Sequence, residues 1–482
     1  MKEKKFLTPI TENVSQWYLD VMELAQLAEY SPVKGTIVIR PNAYAIWEKV
    51  QDAFNAMIKE DGVRNAYFPL FIPYSLLQKE KDHVKGFKPE LAVVTHAGGE
   101  ELEEPLVVRP TSETIMYQMF SQWIHSYRDL PFKVNQWCNV VRWEKRTYPF
   151  LRGSEFLWQE GHTVHENEAG AEEMALKALA WYKKLYEEYY GVYVIDGIKS
   201  EAERFAGALR TYTVELLMPD GKALQGGTSH NLGDNFAKAF NIQYLDNEDT
   251  LQYAWQTSWG LSTRSLGGLF MAHGDNNGLV LAPNIAPTKV AILPILSRQE
   301  EDNNKVESEA KSIAFALAEA KVSHIHDKSY DKTLGYRRNE IEVQGIPLRI
   351  ELGINEVKEN KITIVRRDTL EKITVQKENL IKEVNELLSK IQINLYNKSK
   401  DNTLNKIIFT TSYDEFKQIF KDKRQFVLAY WCEDPACEAK IKEETKATTR
   451  VLSFEEMERK EKGNCILCGK EAKHRWHFAQ SY

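Results

Sequence analysis

Four cysteines near the end of this 482-residue chain constrain its fold more than any other feature. They form two close pairs, Cys432 with Cys437 and Cys465 with Cys468. Two thiolate pairs at such spacings suit a tetrahedral Zn²⁺ ion, so the pattern predicts that both segments meet around a structural zinc. Because a closed four-thiolate site leaves no position for water, we assign it no catalysis. Cysteines that bind no metal are the alternative.

Other residues with similar chemistry are few. His474 and His477 follow the second pair and are spare candidate ligands. Cys138 is expected to be a buried hydrophobic residue. In a reducing compartment, clustered thiols are expected to bind metal rather than form disulfides.

Charge and hydropathy exclude two classes of function. The formal net charge is −6 at pH 7, so no overall positive field would hold nucleic acid. Contacts with nucleic acid must therefore come from local patches. No apolar run approaches the roughly 20 residues that a bilayer requires. The first residues lack the apolar stretch of a signal peptide, so we expect a cytoplasmic chain with no membrane contact.

The length predicts about three domains, at roughly 100 to 200 residues per domain. In the first stretch, to about Pro287, Asn42 is expected to cap an amphipathic helix. Residues 65–73 are expected to form a strand whose prolines suit a sheet edge or a dimer seam. Periodicity predicts further strands over 106–109, 133–142, 156–164, 252–261 and 279–282, and helices over 168–190 and 266–273.

The pattern changes after residues 283–287. Short apolar strands alternate with helices, which indicates an α/β unit with a mixed sheet. The predicted strands cover 289–296, 322–326, 349–352 and 361–366, and the predicted helices cover 304–320 and 377–391. A polar linker over residues 397–405 would lead to a third unit that holds the cysteines.

Arg142-Trp-Glu144 stands at the end of a predicted strand. Alternation along that strand would place Arg142 and Glu144 on one side of the sheet. A guanidinium fork suits phosphate and carboxylate groups, because it donates two hydrogen bonds and stays charged. The alternative is a surface ion pair across a hairpin.

Three further strings carry polar side chains in apolar surroundings. Thr111 and Glu113 stand before an apolar helix and either cap it or face a ligand. Residues 225–230 are predicted to be a loop, with one imidazole, His230, and paired glycines that admit a ligand or make a tight turn. Arg264 stands where a strand would lead into a helix, which is a natural phosphate site, although helix-terminal arginines are common.

Together and in this order, these strings resemble the three motifs of class II aminoacyl-tRNA synthetases. Within that class they are similar to the prolyl-tRNA synthetase family, in its eukaryotic and archaeal-like form without the bacterial editing insertion. The strings that carry the resemblance are Arg109-Pro-Thr-Ser-Glu-Thr114, Phe156-Leu-Trp-Gln-Glu-Gly-His-Thr163 and Gln225-Gly-Gly-Thr-Ser-His230.

The resemblance implies an α/β (α+β) chain that forms a homodimer. Its parts would be a class II catalytic domain on an antiparallel sheet (1–285), an α/β anticodon-binding domain with a mixed sheet (286–395) and a small C-terminal zinc-type domain (396–482). Tyr482 matches a terminal tyrosine whose carboxylate folds back toward the active site.

The same resemblance implies ATP-dependent attachment of L-proline to tRNA(Pro), through a prolyl-adenylate and then transfer to the 3′-terminal ribose. Arg142 would bridge the proline carboxylate and the α-phosphate, and Arg264 would hold the γ-phosphate. Other implied residues are Thr111, Glu113, Trp158, Phe205 and His230 for proline, and Glu144, Arg152, Gly153, Gln225 and Thr228 for ATP with Mg²⁺. Selectivity against alanine and cysteine is expected to be imperfect, since an apolar pocket rejects smaller analogues weakly.

The middle domain would read the anticodon through unpaired bases. Candidate contacts are Arg337, Glu340 and Arg349, with a solvated charged edge as the alternative. Here the sequence departs from the family pattern, because Arg338 and Ile341 stand where aromatic residues are usual.

Other interpretations stay open. Another synthetase of the same subclass is one, although a threonyl enzyme would need active-site zinc ligands that the first domain lacks. A tRNA-binding paralogue without catalysis is disfavoured by the intact Arg142, Glu144 and Arg264. A zinc-containing scaffold would leave Thr111 and His230 unexplained.

Overall fold

The candidate site lies on a large, mainly antiparallel sheet in the first part of the chain. The computed structural model describes residues 6–83 and 91–482. The helices of the first part are α1 (Val14–Leu24), α2 (Pro41–Glu60), α3 (Tyr74–His83), α4 (Glu113–Trp123), α5 (Glu168–Lys184), α6 (Asn235–Phe240) and α7 (Arg264–His273). Its strands are β1 (Ala28–Tyr30), β2 (Ile37–Ile39), β3 (Arg64–Asn65), β4 (Phe71–Pro73), β5 (Val93–Ala97), β6 (Glu100–Val108), β7 (Phe132–Val141), β8 (Glu155–His165), β9 (Ile195–Ile198), β10 (Arg210–Leu217), β11 (Ala223–Gly233), β12 (Gln243–Leu245), β13 (Leu251–Tyr253) and β14 (Trp255–Ser262).

The helices that were predicted in this part are present, as α2, α4, α5 and α7, whereas α1, α3 and α6 were not predicted. One face of α2, with Ile46, Val50 and Phe54, is buried in the core. The start of α2 differs from the expectation, because it begins at Pro41, whose fixed φ suits the first helical turn. Asn42 is therefore not the cap, and its side chain donates to the carbonyl of Ala25 at 2.9 Å.

The single strand predicted over residues 65–73 is wrong. Two short strands form instead: β3 pairs in parallel with β7 at the edge of the main sheet, and β4 pairs with β6. Pro69 lies between them, and proline has no N–H for a ladder hydrogen bond. The expected edge position is confirmed for both strands, since β3 is an edge of the main sheet and β4, which contains Pro73, is an edge of the three-stranded sheet.

The centre of the main sheet runs β9-β10-β11-β14-β8-β7, and each neighbouring pair is antiparallel. The strands predicted around β6, β7, β8 and β14 are confirmed. The strand predicted over residues 279–282 is wrong, because that segment packs against the next part of the chain. Backbone N–H groups of Leu279 and Leu281 donate to the carbonyls of Val343 and Gly345, each at 3.1 Å.

The middle part has the predicted mixed sheet, in the order β16-β15-β17-β18-β19. Strand β15 is parallel to both of its neighbours, and the other pairs are antiparallel. Its strands are β15 (Val290–Pro294), β16 (His324–His326), β17 (Leu348–Leu352), β18 (Lys361–Arg366) and β19 (Lys372–Gln376). Its helices are α8 (Glu300–Glu319), α9 (Leu334–Val343), α10 (Ile354–Glu359) and α11 (Leu380–Leu404).

The linker predicted over residues 397–405 is wrong, because α11 continues to Leu404. Its buried stripe of Leu387, Ile391 and Leu395 packs on the core, and the polar residues that follow lie on the same continuous helix. Polarity alone therefore did not mark a break in this helix.

The third part continues the main sheet rather than forming a sheet of its own. Strand β22 pairs with β9, so that eleven strands of the described chain form one sheet in the order β20-β21-β25-β22-β9-β10-β11-β14-β8-β7-β3. The strands of this part are β20 (Ile407–Phe409), β21 (Phe426–Trp431), β22 (Thr448–Ser453), β23 (Gly463–Asn464), β24 (Glu471–Ala472) and β25 (His474–Ala479). Its helices are α12 (Tyr413–Asp422), α13 (Pro435–Thr445) and α14 (Phe454–Glu458). None of the helices in the described residues has the length and apolar character needed to cross a bilayer.

Candidate active site

A cavity of about 260 Å³ lies over the main sheet and collects most of the predicted site residues. Nine of them line it: Thr111, Glu113, Arg142, Trp158, Phe205, Gln225, Thr228, His230 and Arg264. These residues come from distant parts of the sequence, so the fold itself brings them together.

Three predicted nucleotide residues do not line this cavity. Arg152 and Gly153 line a neighbouring cavity of about 270 Å³, and Phe156 lines both cavities. Glu144 forms an ion pair with Arg152 at 2.9 Å. An ion pair across this hairpin was the alternative to a ligand contact, and it is present.

Strand β8 supplies one wall of the cavity by simple alternation. Phe156, Trp158, Glu160 and His162 all line the cavity, as expected for every second residue of a strand. Glu160 and His162 were missed as site residues from the sequence. Counting in steps of two along the string 156–163 would have found both.

Arg142 lies directly after β7 and is held in place by its backbone and its side chain. Its N–H donates to the carbonyl of Ser154 at 2.8 Å, and its Nε donates to the carbonyl of Pro110 at 2.9 Å. The guanidinium carbon lies 5.4 Å from the ring centroid of Trp158. The alternation argument for Arg142 and Glu144 is wrong, because the strand ends at Val141.

Burial shifts the pKa of Arg142 downward, and the nearby carboxylates of Glu113 and Glu160 oppose that shift. An arginine remains protonated in proteins even when its pKa falls. Arg142 therefore presents a fixed positive charge to the cavity.

The polar residues before α4 face carboxylates rather than capping the helix. Ser112 is at the N-cap position but makes no side-chain capping hydrogen bond. Its hydroxyl donates to Glu160, and the hydroxyl of Thr111 donates to Glu113. The alternative interpretation, that Thr111 and Glu113 cap the helix, is therefore wrong.

Glu160 is a buried carboxylate with several donors around it. Gln136 Nε2 and His162 Nε2 each lie 3.1 Å from its oxygens, in addition to the hydroxyl of Ser112. Burial by itself raises the pKa of Glu160, but these hydrogen bonds and His162 together bring it below its usual value. Glu160 therefore stays ionised and gives this end of the cavity negative charge.

Cys138 takes part in the same network, so its assignment as a simple buried hydrophobic residue is wrong. It is only half-buried, and its Sγ lies 3.3 Å from Trp158 Nε1 and 3.4 Å from Glu160 Oε1. Burial, with the charge of Glu160, raises its pKa to about 12, so the thiol stays protonated. It can therefore donate to the carboxylate while it accepts from the indole.

His230 lies on β11, a central strand, and not on the loop that its glycines suggested. Thr211 Oγ1 lies 2.9 Å from His230 Nδ1, and the imidazole lies 4.6 Å from the ring of Phe205. Burial, together with the neighbouring His162 and Lys199, lowers the pKa of His230 to about 3. The imidazole is therefore neutral near pH 7.

The paired glycines of β11 are required by packing against α5 and the short helical segment that follows it. The register with β10 slips at Gly226, which makes a β-bulge. A Cβ at Gly226 would lie 2.8 Å from the ring of Tyr186, and one at Gly227 would lie 3.1 Å from the ring of Tyr182. The tight-turn explanation of this pair is wrong.

Arg264 is the first residue of α7, directly after β14, which confirms the predicted strand-to-helix junction. Its Nε donates to the carbonyl of Leu151 at 3.0 Å. Burial lowers its pKa, and the charges of Arg142, Arg152 and Arg450 add to that shift. The helix N-terminus and this guanidinium together favour an anionic ligand.

The four cysteine sulfur atoms meet, as their spacing predicted. All four lie within 4.8 Å of one another, and the sulfur atoms of Cys432 and Cys468 are 3.6 Å apart. A tetrahedral ion with bonds of about 2.3 Å requires sulfur atoms about 3.8 Å apart, so this donor set fits zinc. Within the described chain, the metal-ligand cluster contains neither His474 nor His477.

The three tRNA candidates lie on or beside α9. Arg337 is buried and donates to Asp327 at 2.6 Å, and Arg349 is buried and donates to Glu342 at 2.7 Å. Glu340 is half-buried and receives a hydrogen bond from a lysine at 3.2 Å. Neither buried arginine is part of a solvated charged edge.

The last residue of the chain lies beside the first residue of β11. The N–H of Tyr482 donates to the carbonyl of Ala223 at 3.4 Å, and Lys222 Nζ lies 4.3 Å from its ring centroid. The C-terminal residue is thus next to the strand that carries Gln225.

Family models match each part of the chain. Residues 93–272 match the tRNA synthetase class II core domain (G, H, P, S and T), and residues 289–387 match an anticodon binding domain. The fold and the cavity are thus those of a class II aminoacyl-tRNA synthetase. Residues 413–482 match the C-terminal domain of prolyl-tRNA synthetase.

Full-length relatives agree with these matches. A proline–tRNA ligase of Natranaerobius thermophilus is 50% identical over 465 residues, which cover 96% of this chain and 95% of the relative. A proline–tRNA ligase of Chlorobium chlorochromatii is 49% identical, over 99% of both chains. Proline–tRNA ligase 2 of Bacillus cereus is 47% identical, over 99% of this chain and 98% of the relative. The chain belongs to the prolyl-tRNA synthetase family.

Proposed function

We propose that this chain attaches L-proline to tRNA(Pro) with ATP, and that the cavity over the main sheet performs both steps. The observation that carries the proposal is the convergence of Glu113, Arg142 and Arg264 on one cavity. Such a cavity combines a carboxylate for a cationic nitrogen with two fixed cations for anions. That is the charge pattern required to bind an amino acid beside a nucleoside triphosphate.

Adenylation needs the proline carboxylate placed for in-line attack on the α-phosphate, with release of pyrophosphate. Arg142 serves this step because its fork can bind both anions at once and neutralise the charge that develops between them. Arg264 holds the γ-phosphate at the N-terminus of α7. Proximity and electrostatic stabilisation then suffice for attack on the α-phosphate, and the step needs no general acid or base.

Proline binds at the opposite end, where the carboxylates lie. Thr111 and Glu113 receive the charged imino nitrogen, and the ionised Glu160 adds a second negative charge nearby. His230 is neutral, so it does not repel that nitrogen. Trp158 and Phe205 supply the apolar walls for the ring, and we propose that Phe205 is held in place by the tilted contact of its ring with His230.

ATP enters as its Mg²⁺ complex, and the ion shares the phosphate charge. Gln225 and Thr228 line the side of the cavity formed by β11. Arg152 and Gly153 act from the neighbouring cavity, where Phe156 joins the two spaces, and Glu144 acts through its ion pair with Arg152. The nucleotide is proposed to extend across that junction.

The C-terminal part binds zinc through Cys432, Cys437, Cys465 and Cys468, whose sulfur positions suit a structural ion. Four free thiols in one cluster also fit a reducing, cytoplasmic compartment. The limits of the family matches support a division into three parts, proposed as residues 1–285, 286–395 and 396–482, and the second boundary falls within the continuous helix α11.

Dimer formation is proposed through the proline-bearing segment around β4. Tyr67 is 71% exposed and Phe71 is 46% exposed, and large apolar side chains exposed together are typical of an interaction surface. A sedimentation measurement should give twice the chain mass, and Phe71→Asp should shift the measured mass toward that of the monomer.

For tRNA, we propose that Glu340 lies on the surface that contacts the anticodon. Arg337 and Arg349 are proposed to stabilise that surface from the protein interior. The buried pairs of these arginines with Asp327 and Glu342 fit such a supporting role. Charge reversal at Glu340 should change the KM for tRNA and leave proline-dependent pyrophosphate exchange unchanged.

The decisive test of the proposed pocket is Glu113→Gln, measured by pyrophosphate exchange and by charging of tRNA(Pro). Loss of a charged hydrogen bond should raise the KM for proline about tenfold or more and change the KM for ATP much less. Glu101→Gln makes the same change at an exposed position of β6 and serves as the control. An unchanged KM for proline in Glu113→Gln would overturn the pocket assignment.

A further inference from the structure

A buried ion triad crosses the junction between the third part of the chain and the catalytic sheet. Arg450 on β22 is 6% exposed, and Glu215 on β10 is fully buried. Arg450 donates to Glu215 Oε2 twice, from Nε at 3.0 Å and from Nη2 at 2.8 Å. The third member, Lys199, follows β9 and lines the catalytic cavity.

Lys199 is held by both partners. Its Nζ donates to Glu215 Oε1 at 3.2 Å and to the backbone carbonyl of Arg450 at 3.4 Å. Each oxygen of Glu215 therefore receives a different cation. Burial lowers the pKa of Lys199, and the charge of Glu215 opposes that shift. With Lys199 protonated, one carboxylate and two cations give the triad a net positive charge, which burial leaves poorly screened.

The Glu215 and Arg450 part of the triad lies toward the nucleotide residues, whereas the charge of Lys199 also acts on His230. Thr213 and Glu215 stand opposite Thr228 and Gln225 in the register of β10 and β11. The charge of Arg450 also contributes to lowering the pKa of Arg264. The positive charge of the triad thus lies close to the residues assigned to the phosphates.

The triad is one of several contacts that hold the third part at this junction. Backbone pairing joins β22 to β9, and Ser200 donates to Glu438 at 2.8 Å across the junction. Buried ion pairs often stabilise a fold no better than apolar residues of similar volume. A purely structural role therefore explains the triad poorly.

We propose that Lys199 is a further ATP-binding residue, and that Arg450 is a positioning residue that holds it through Glu215. This inference rests on the proposed assignment of the cavity to ATP and proline. It makes the third part of the chain a contributor to adenylation, because Arg450 comes from a strand beyond the catalytic core.

The experiment measures KM for ATP, KM for proline and kcat of pyrophosphate exchange in Lys199→Met, Arg450→Lys and the double variant. Lys199→Met should raise the KM for ATP about tenfold or more, with a smaller change for proline. Arg450→Lys should raise the same KM, since one ammonium cannot replace a two-pronged guanidinium. Lys199→Arg should restore part of the loss.

Non-additivity separates positioning from simple structural support. If Arg450 acts through Lys199, then Arg450→Lys has no further effect on the KM for ATP once Lys199 is methionine. Additive effects would overturn the positioning role of Arg450. An unchanged KM for ATP in Lys199→Met would overturn the binding role of Lys199.

Arg475→Met is the matched control, because Arg475 lies on the neighbouring strand β25 in an ion pair with Glu456 at 2.6 Å. It should lower the melting temperature without raising the KM for ATP. An equal rise in the control would overturn the proposal. Failure of the proposed function is distinguishable, because the unmodified chain would then show no proline-dependent exchange at all.

Discussion

Replacing Arg142 should remove most of the adenylation activity without unfolding the protein. Guanidinium groups have five N–H donors, and here Nε is already used on the carbonyl of Pro110. Within the described chain, the two terminal nitrogens have no protein acceptor, so four N–H groups are left for ligands. The stacking of the guanidinium on Trp158 fixes the direction in which they point.

The size of the effect follows from the bonds that are lost. Each hydrogen bond between charged groups contributes about 1.5 to 3 kcal/mol, so one bond to each of two anions contributes about 3 to 6 kcal/mol. At about 1.4 kcal/mol per factor of ten, kcat/KM should fall about 10² to 10⁴-fold in Arg142→Ala. Arg142→Lys keeps the charge but loses the fork, and it should still lose about 10²-fold.

Pyrophosphate exchange with proline is the assay, together with the melting temperature. A kcat/KM for Arg142→Lys within about tenfold of the unmodified chain would refute the bridging role, because a single ammonium would then be sufficient. A large drop in melting temperature would refute the claim that the fold survives the change.

Three other changes test the structure around the site. Gly161→Ala places a Cβ 2.1 Å from the ring of Trp259 and should lower stability by about 1 to 3 kcal/mol, whereas Gly335→Ala, with nothing within 4 Å, should not. Equal melting temperatures would contradict this. Cys465→Ser should release bound metal in elemental analysis with a smaller effect on exchange, and unchanged metal content would remove Cys465 from the ligand set. Burial lowers the pKa of His230 to about 3. It lowers the pKa of three other histidines to about 4, namely His165, His273 and His477. Unfolded histidines have a pKa of about 6.5, so the unfolded chain alone binds protons between about pH 6.5 and 4, and the free energy of unfolding falls as the pH falls. At pH 5 this is about 2 kcal/mol per histidine, and a melting temperature that stays constant from pH 7 to 5 would contradict it.

Local signals with one physical cause were predicted well from the sequence. The apolar stripe of α2 and the cysteine pairs depend on spacing, and spacing is fixed by helix and metal geometry. Arg264 was placed correctly because a strand ends and a helix begins at this point in the sequence.

Signals with two physical causes were misread. Gly226 and Gly227 fit a loop as well as a strand, and the choice was decided by Tyr182 and Tyr186, which pack on them from elsewhere in the chain. The polar residues after Leu395 fit a linker as well as the solvent face of a helix. In each case the deciding contact comes from a different part of the sequence.

Residues that act through long-range contacts were not found. Strand alternation could have placed Glu160 at the site, but its donors Ser112 and Gln136 are known only from the structure. The Arg450 triad joins residues 235 positions apart, which no local pattern records. The roles that depend on tertiary contact therefore had to come from the structure.

The central claim is that this cavity selects proline and activates it with ATP. The most direct measurement is amino-acid-dependent exchange of labelled pyrophosphate into ATP, screened over the standard amino acids without tRNA. The account predicts strong exchange with proline and weak exchange with alanine or cysteine, because an apolar pocket rejects smaller side chains by only about 1 to 3 kcal/mol. Stronger exchange with any other amino acid, or none with proline, would contradict it.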